Sequence, residues 1–95
     1  MKLHWFAEAS YPDLPKDFRA SGESSWVTTS TRHCKPEVVR DMTQMFIRLM
    51  QQADREGFDG LAMNEHHQTP FALTPSPNLL AAALAALVPR RVLDR

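Results

Sequence analysis

The sequence predicts an α/β fold in which strands alternate with helices, as in the βαβ units of a parallel sheet. Three observations carry this. Residues 36–56 place apolar side chains at every third or fourth position, the signature of an amphipathic helix. Residues 58–64 form a short apolar run directly after Gly57, as a buried parallel strand does. A second helical stripe occupies residues 77–88, and such alternation builds right-handed parallel crossovers.

The elements follow in order. Residues 3–7 mix aromatic and aliphatic side chains and predict a short first strand. Residues 9–35 hold Pro12, Pro15, Gly22 and many Ser and Thr, without apolar periodicity. That predicts a loop of about 25 residues, beyond the roughly 12–15 usual in compact domains, so it either serves a function or covers a larger body. Over residues 36–56, Val38, Val39, Met42, Met45, Phe46, Leu49, Met50 and Ala53 make one stripe. The methionines read as core packing. Arg40, Asp41, Gln44, Arg48, Gln51, Gln52 and Arg55 lie mostly on the other faces. Pro36 suits the first helical position, Glu37 the positive end of the helix dipole, and Gly57 the terminus.

Leu61, Ala62 and Met63 centre the strand over 58–64, and Pro70 and Pro75 mark a loop after it. Ser76 is placed to N-cap the second helix, with Pro77 at its first position. Its stripe is Leu79, Leu80, Ala83, Leu84 and Leu87, ending at Pro89, and residues 89–95 carry no clear element. Two parallel strands are too few to cover both stripes, and their outer edges are unpaired. The pattern is that of the opening of a larger fold, and the chain alone is expected to leave apolar side chains uncovered.

Composition narrows the function. With 95 residues there is room for one small domain. Eleven Lys+Arg balance eleven Asp+Glu, which lacks the basic excess of a nucleic-acid binder. A hydrophobic fraction of 43% fits a globular chain. Cys34 is the single cysteine, so no internal disulfide forms and a reduced, cytoplasmic setting is expected. No run reaches the roughly 18–20 apolar residues of a membrane span, and charge interrupts the N-terminus before a signal core forms.

The densest chemistry is Asn64-Glu65-His66-His67, immediately after the second predicted strand. In α/β folds, ligands and catalytic groups gather at the C-terminal ends of strands. Polar residues are also common in such loops, so position alone leaves decoration and function both open. Adjacent side chains on extended backbone point to opposite sides, so His66 and His67 diverge. Zinc finds no support, since the H-E-x-x-H spacing is absent and Cys34 has no cysteine partner. Gly22, Gly57 and Gly60 form no phosphate-binding loop. Ser24, Ser25 and Ser30 lie in the long loop without a nucleophile elbow.

Two segments carry a resemblance. Gly57-Phe58-Asp59-Gly60-Leu61-Ala62-Met63-Asn64-Glu65-His66-His67, then Pro70, then Pro75-Ser76-Pro77-Asn78-Leu79-Leu80-Ala81-Ala82-Ala83-Leu84-Ala85-Ala86, resemble the luciferase-like flavin-dependent monooxygenases. The G-F-D opening, the E-H-H at the strand end and the S-P-N-L-L-A-A-A helix start are specific in combination. The resemblance spans residues 37–86 well. It implies that residues 1–95 are the N-terminal part of a luciferase-like barrel domain, the first two βα units of a (β/α)8 TIM-type barrel. Complete members use reduced flavin mononucleotide (FMN), or in some branches a deazaflavin, and many add an oxygen atom from O2 to a small organic substrate. They also leave a homo- or heterodimer open.

By the same resemblance His66 matches the catalytic position beside the reactive edge of the flavin, in a proton-transfer role. An imidazole suits that work because its ordinary pKa lies near neutrality. Asn64, Glu65 and His67 match positions that bind the cofactor or line the active site, with His67 expected in the barrel wall. The pattern departs from the family at residues 87–95, where a T-S-R-I-like turn into a third strand is expected, and around residues 28–34. Such a break is what a frameshift or a mispredicted gene end gives. The chain alone is then expected to bind no flavin and to be inactive. A second reading of another class is a non-catalytic remnant or interaction module that exposes two amphipathic helices.

Overall fold

The computed structural model describes residues 1–16 and 30–88. Residues 17–29, with Gly22, Ser24 and Ser25 of the predicted loop, lie outside them, as do Pro89 and the rest of the predicted tail 89–95. Among the described residues the architecture is a small mixed α/β arrangement of two strands and two helices. β1 (His4–Phe6) leads through α1 (Pro36–Arg55) to β2 (Gly60–Ala62), and α2 (Pro77–Leu87) follows. The strands pair in parallel, with His4, Trp5 and Phe6 opposite Gly60, Leu61 and Ala62. Both are shorter than predicted, because regular pairing spans only these three positions. Asp59 extends the junction by one step: its amide donates to the Leu3 carbonyl at 2.8 Å, and its carboxylate Oδ2 accepts from the Leu3 amide at 2.8 Å.

The local chemistry of α1 explains its ends. Lys35 is the N-cap, and no side chain caps the helix there. Its carbonyl accepts from the amides of Val38 and Val39, both at 3.0 Å. At the other end Gly57 has φ +94°, a left-handed conformation that side chains resist. Its amide donates to Asp54 at 3.1 Å and the Phe58 amide donates to Ala53 at 3.2 Å. This pair of bonds is the Schellman closure, which requires the left-handed residue. Phe58 then turns inward against the core that contains Ala53, so the helix stop also aims the chain into β2.

Trp5 and Leu61 are register partners and therefore share a sheet face. Leu61 belongs to the core with Phe46, Met50 and Ala53 of α1, Leu84 of α2, and the flanking Ala9 and Val88, and half-buried Trp5 packs against it. The Trp5 and Phe46 rings are tilted with centroids 5.8 Å apart, a favourable aromatic geometry. α1 thus packs on this face of the sheet, and α2 packs against α1. Phe6, which alternates with Trp5, is 54% exposed.

The two stripes are only partly covered. Of the eight apolar positions on α1, Phe46, Met50 and Ala53 are buried, whereas Met45 and Leu49 are exposed. On α2, Leu84 is fully buried and Leu80 half-buried, while Ala83 and Leu87 are exposed and Leu79 is 73% exposed. A sheet of two strands is narrower than either stripe, as the strand count implied. Ser76 caps α2 with its carbonyl alone: Leu79 and Leu80 amides donate to it at 3.1 and 3.4 Å, and its side chain makes no cap bond. The expected hydroxyl cap is therefore absent, although Pro77 does occupy the first turn.

The long segment before α1 holds more structure than its composition suggested. Thr31–His33 form one 3-10 turn, with the Ser30 hydroxyl accepting from the Arg32 amide. Tyr11 is buried, and its hydroxyl accepts from the Lys35 amide at 3.0 Å. Its own amide donates to Pro70 at 2.7 Å. Tyr11 thereby ties the start of α1 to the segment after β2. Tyr11→Phe is expected to cost about 0.5–1.5 kcal/mol, the net value of one such bond. A urea midpoint unchanged by the substitution would show that water replaces the hydroxyl without loss.

Candidate functional site

The site is built by continuing the strand register past the last paired residues. Phe6 lies opposite Ala62, so two residues further on Glu8 stands opposite Asn64. Period-two alternation puts both on the face opposite Trp5 and Leu61, away from the helices. Their side chains meet: Asn64 Nδ2 donates to Glu8 Oε1 at 2.9 Å. Thr74, which is buried, donates its hydroxyl to Asn64 Oδ1 at 2.8 Å. The amide of Asn64 is thus fixed in orientation, its oxygen toward a hydroxyl and its nitrogen toward a carboxylate.

His66 is two residues beyond Asn64 and joins the same group. Its Nε2 lies 3.9 Å from Glu8 Oε1, and the two side chains are 37% and 34% exposed. Its backbone amide donates to the Thr74 carbonyl at 3.3 Å. His67 turns the other way. Its Nε2 donates to Glu65 Oε1 at 2.7 Å, with both side chains more than half exposed. The divergence of the two histidines expected from extended backbone is what the chain shows. His67 lies beyond the end of β2 at Ala62, with its side chain 63% exposed.

What holds this segment is a second set of hydrogen bonds between the residues after β1 and those after β2. Gln68 takes a left-handed conformation, φ 57°, which reverses the chain. Leu73 then donates to the Ala9 carbonyl at 2.7 Å, and the Ser10 hydroxyl donates to the Phe71 carbonyl at 2.6 Å. Thr69, Pro70, Ala72 and Thr74 are buried. The residues after β1 and those after β2 are therefore zipped together, which places Glu8 beside Asn64 and His66.

Of the four residues singled out from sequence, the fold brings Asn64 and His66 together and leaves Glu65 and His67 as a separate exposed pair. Glu8 and Thr74 were missed. Glu8 was legible in principle, because a parallel pairing of the two apolar runs puts the first polar residue after one opposite the Asn after the other. Thr74 carried no such signal, since its position depends on a turn through Gln68 that sequence does not announce.

Chemically, the group offers a carboxylate, a carboxamide and an imidazole on one strand-end face, a set able to accept, hold and pass a proton. Among the described residues no three His, Cys, Asp or Glu side chains are placed to hold a metal ion. Cys34 lies outside this group, and burial pushes its thiol above the ordinary value. A raised value means less thiolate at neutral pH, so iodoacetamide should modify Cys34 more slowly than a free cysteine at pH 7. The deficit should close as pH rises past the thiol's titration. Equal rates at pH 7 would contradict the burial effect.

Among the described residues, no helix is long and apolar enough to cross a membrane. Comparison with protein-family models, with curated proteins and with solved structures finds no match to this chain.

Proposed function

We propose that the chain carries the opening two βα units of a (β/α)8 TIM-type barrel of the luciferase-like, flavin-dependent monooxygenase kind. On this reading the complete barrel is an oxidoreductase that acts with reduced FMN, or a deazaflavin, and O2 on a small organic substrate. The supporting observation is the meeting of His66 with Glu8 at the C-terminal ends of two parallel strands, on the face that the helices leave open. Barrel enzymes assemble their sites at those ends, and His66 is the residue that the E-H-H resemblance selects.

The residues present suit part of a flavin. On this reading His66 offers its imidazole to the heteroatoms of the ring, and Asn64 lines the site through its bonds to Glu8 and Thr74. Glu65 and His67 would stand at the rim, and the phosphate would fall to strands beyond these two. Reduced flavin, when bound, supplies the electrons that activate O2. His66 supplies a proton acceptor and donor at its imidazole, and Asn64 holds the carboxylate beside it. A second reading, an interaction module in a cytoplasmic setting, is favoured by exposed Met45 and Leu49 on α1 and Leu79 and Leu87 on α2.

The test is a chimaera in which residues 1–88 replace the opening segment of a luciferase-like barrel. The proposal expects FMN binding and O2-dependent turnover. A chimaera that folds and binds FMN but turns over equally well with the strand-end group removed would favour the interaction module.

A further inference from the structure

Glu8 lies outside the segments that carry the resemblance, yet its carboxylate is the group that Asn64 and His66 share. Oε1 accepts from Asn64 at 2.9 Å and stands 3.9 Å from His66 Nε2. Asn64 is in turn held by the hydroxyl of buried Thr74. A fixed amide therefore fixes the carboxylate, and the carboxylate faces one nitrogen of the imidazole. Hydrogen bonds in unliganded catalytic sites are often long and tighten on assembly. The partial burial of both side chains weakens screening relative to an open surface.

We propose that Glu8 is the positioning residue of His66. Its carboxylate faces the Nε2 side of the imidazole, orients the ring, and pairs with it once the ring is protonated. The catalytic meaning of this role rests on the flavin reading above; the pair itself does not. Among the described residues, the other titratable groups of the strand-end segment are Glu65 and His67, which engage each other.

Glu8→Gln separates the two jobs of the carboxylate, because the glutamine oxygen still accepts from Asn64 Nδ2 while the charge is gone. In the full chain the substitution should lower the thermal midpoint by about 2–4 °C at pH 5, where histidine is ordinarily charged. At pH 9 the loss should fall below about 1 °C, and in a His66→Gln background it should be absent at both pH values. Equal losses at pH 5 and pH 9, or a pH 5 loss that survives His66→Gln, would overturn the pairing. In the chimaera, Glu8→Gln should lower kcat roughly tenfold with KM unchanged, and Glu8→Asp should restore part of it. A chimaera slowed by His66→Ala but not by Glu8→Gln would overturn the positioning role. One indifferent to His66→Ala would overturn the flavin reading, with the stability cycle still deciding the pair.

Discussion

Replacing His66 by alanine in a barrel that carries this opening segment is expected to slow oxygen-transfer turnover by about 10²–10⁴-fold, the usual contribution of a positioned acid/base group. On the proposed flavin reading FMN affinity should change little, because the ring would be held across several strand ends and the phosphate elsewhere. Gly57 stops α1 and turns Phe58 inward; β2 then pairs in register with β1. The chain leaves the sheet with Asn64 and His66 on the face of Glu8. Stopped-flow turnover with saturating FMN separates the loss of chemistry from a loss of cofactor.

Leu84→Ala is expected to destabilise the chain by about 2–5 kcal/mol, the range for truncating a fully buried leucine. Leu84 is the one core residue of α2 itself and is completely inaccessible. The remaining apolar side chains of that helix are half-buried or exposed, so little else anchors it to Met50 and Leu61. A small domain buries a modest share of its surface and has limited stability to lose. Circular dichroism should show helical signal lost at temperatures where the parent chain retains it. Leu79→Ala, at an exposed position of the same helix, should stay within about 0.5 kcal/mol of the parent.

The order of elements was legible in the residues because periodicity survives packing. Both helices fall within one residue of their expected bounds, and the strands are parallel and adjacent. The inward faces were less legible. Stripe positions such as Met45 and Leu87 are exposed because the width of the covering sheet, not the pattern on the helix, decides what is buried. Asn64 and His66 were legible as strand-end polar residues. Their partners were not, since Glu8 enters through strand register and Thr74 through the left-handed turn at Gln68. The hydroxyl cap of Ser76 failed for a local reason: its ψ of 75° differs from the extended geometry that usually brings an N-cap oxygen onto the amides of the first turn.

The most direct test of the strand-end site compares His66→Ala and His67→Ala side by side in the chimaera, with turnover and FMN binding measured on each. His66 faces the Glu8 carboxylate, whereas His67 points outward to Glu65 with a side chain 63% exposed. The expected result is a loss of about 10²–10⁴-fold in turnover for His66→Ala, less than threefold (roughly 0.6 kcal/mol) for His67→Ala, and FMN affinity retained in both. Greater damage from His67→Ala, or parental turnover in both variants, would contradict the assignment of the strand-end histidine.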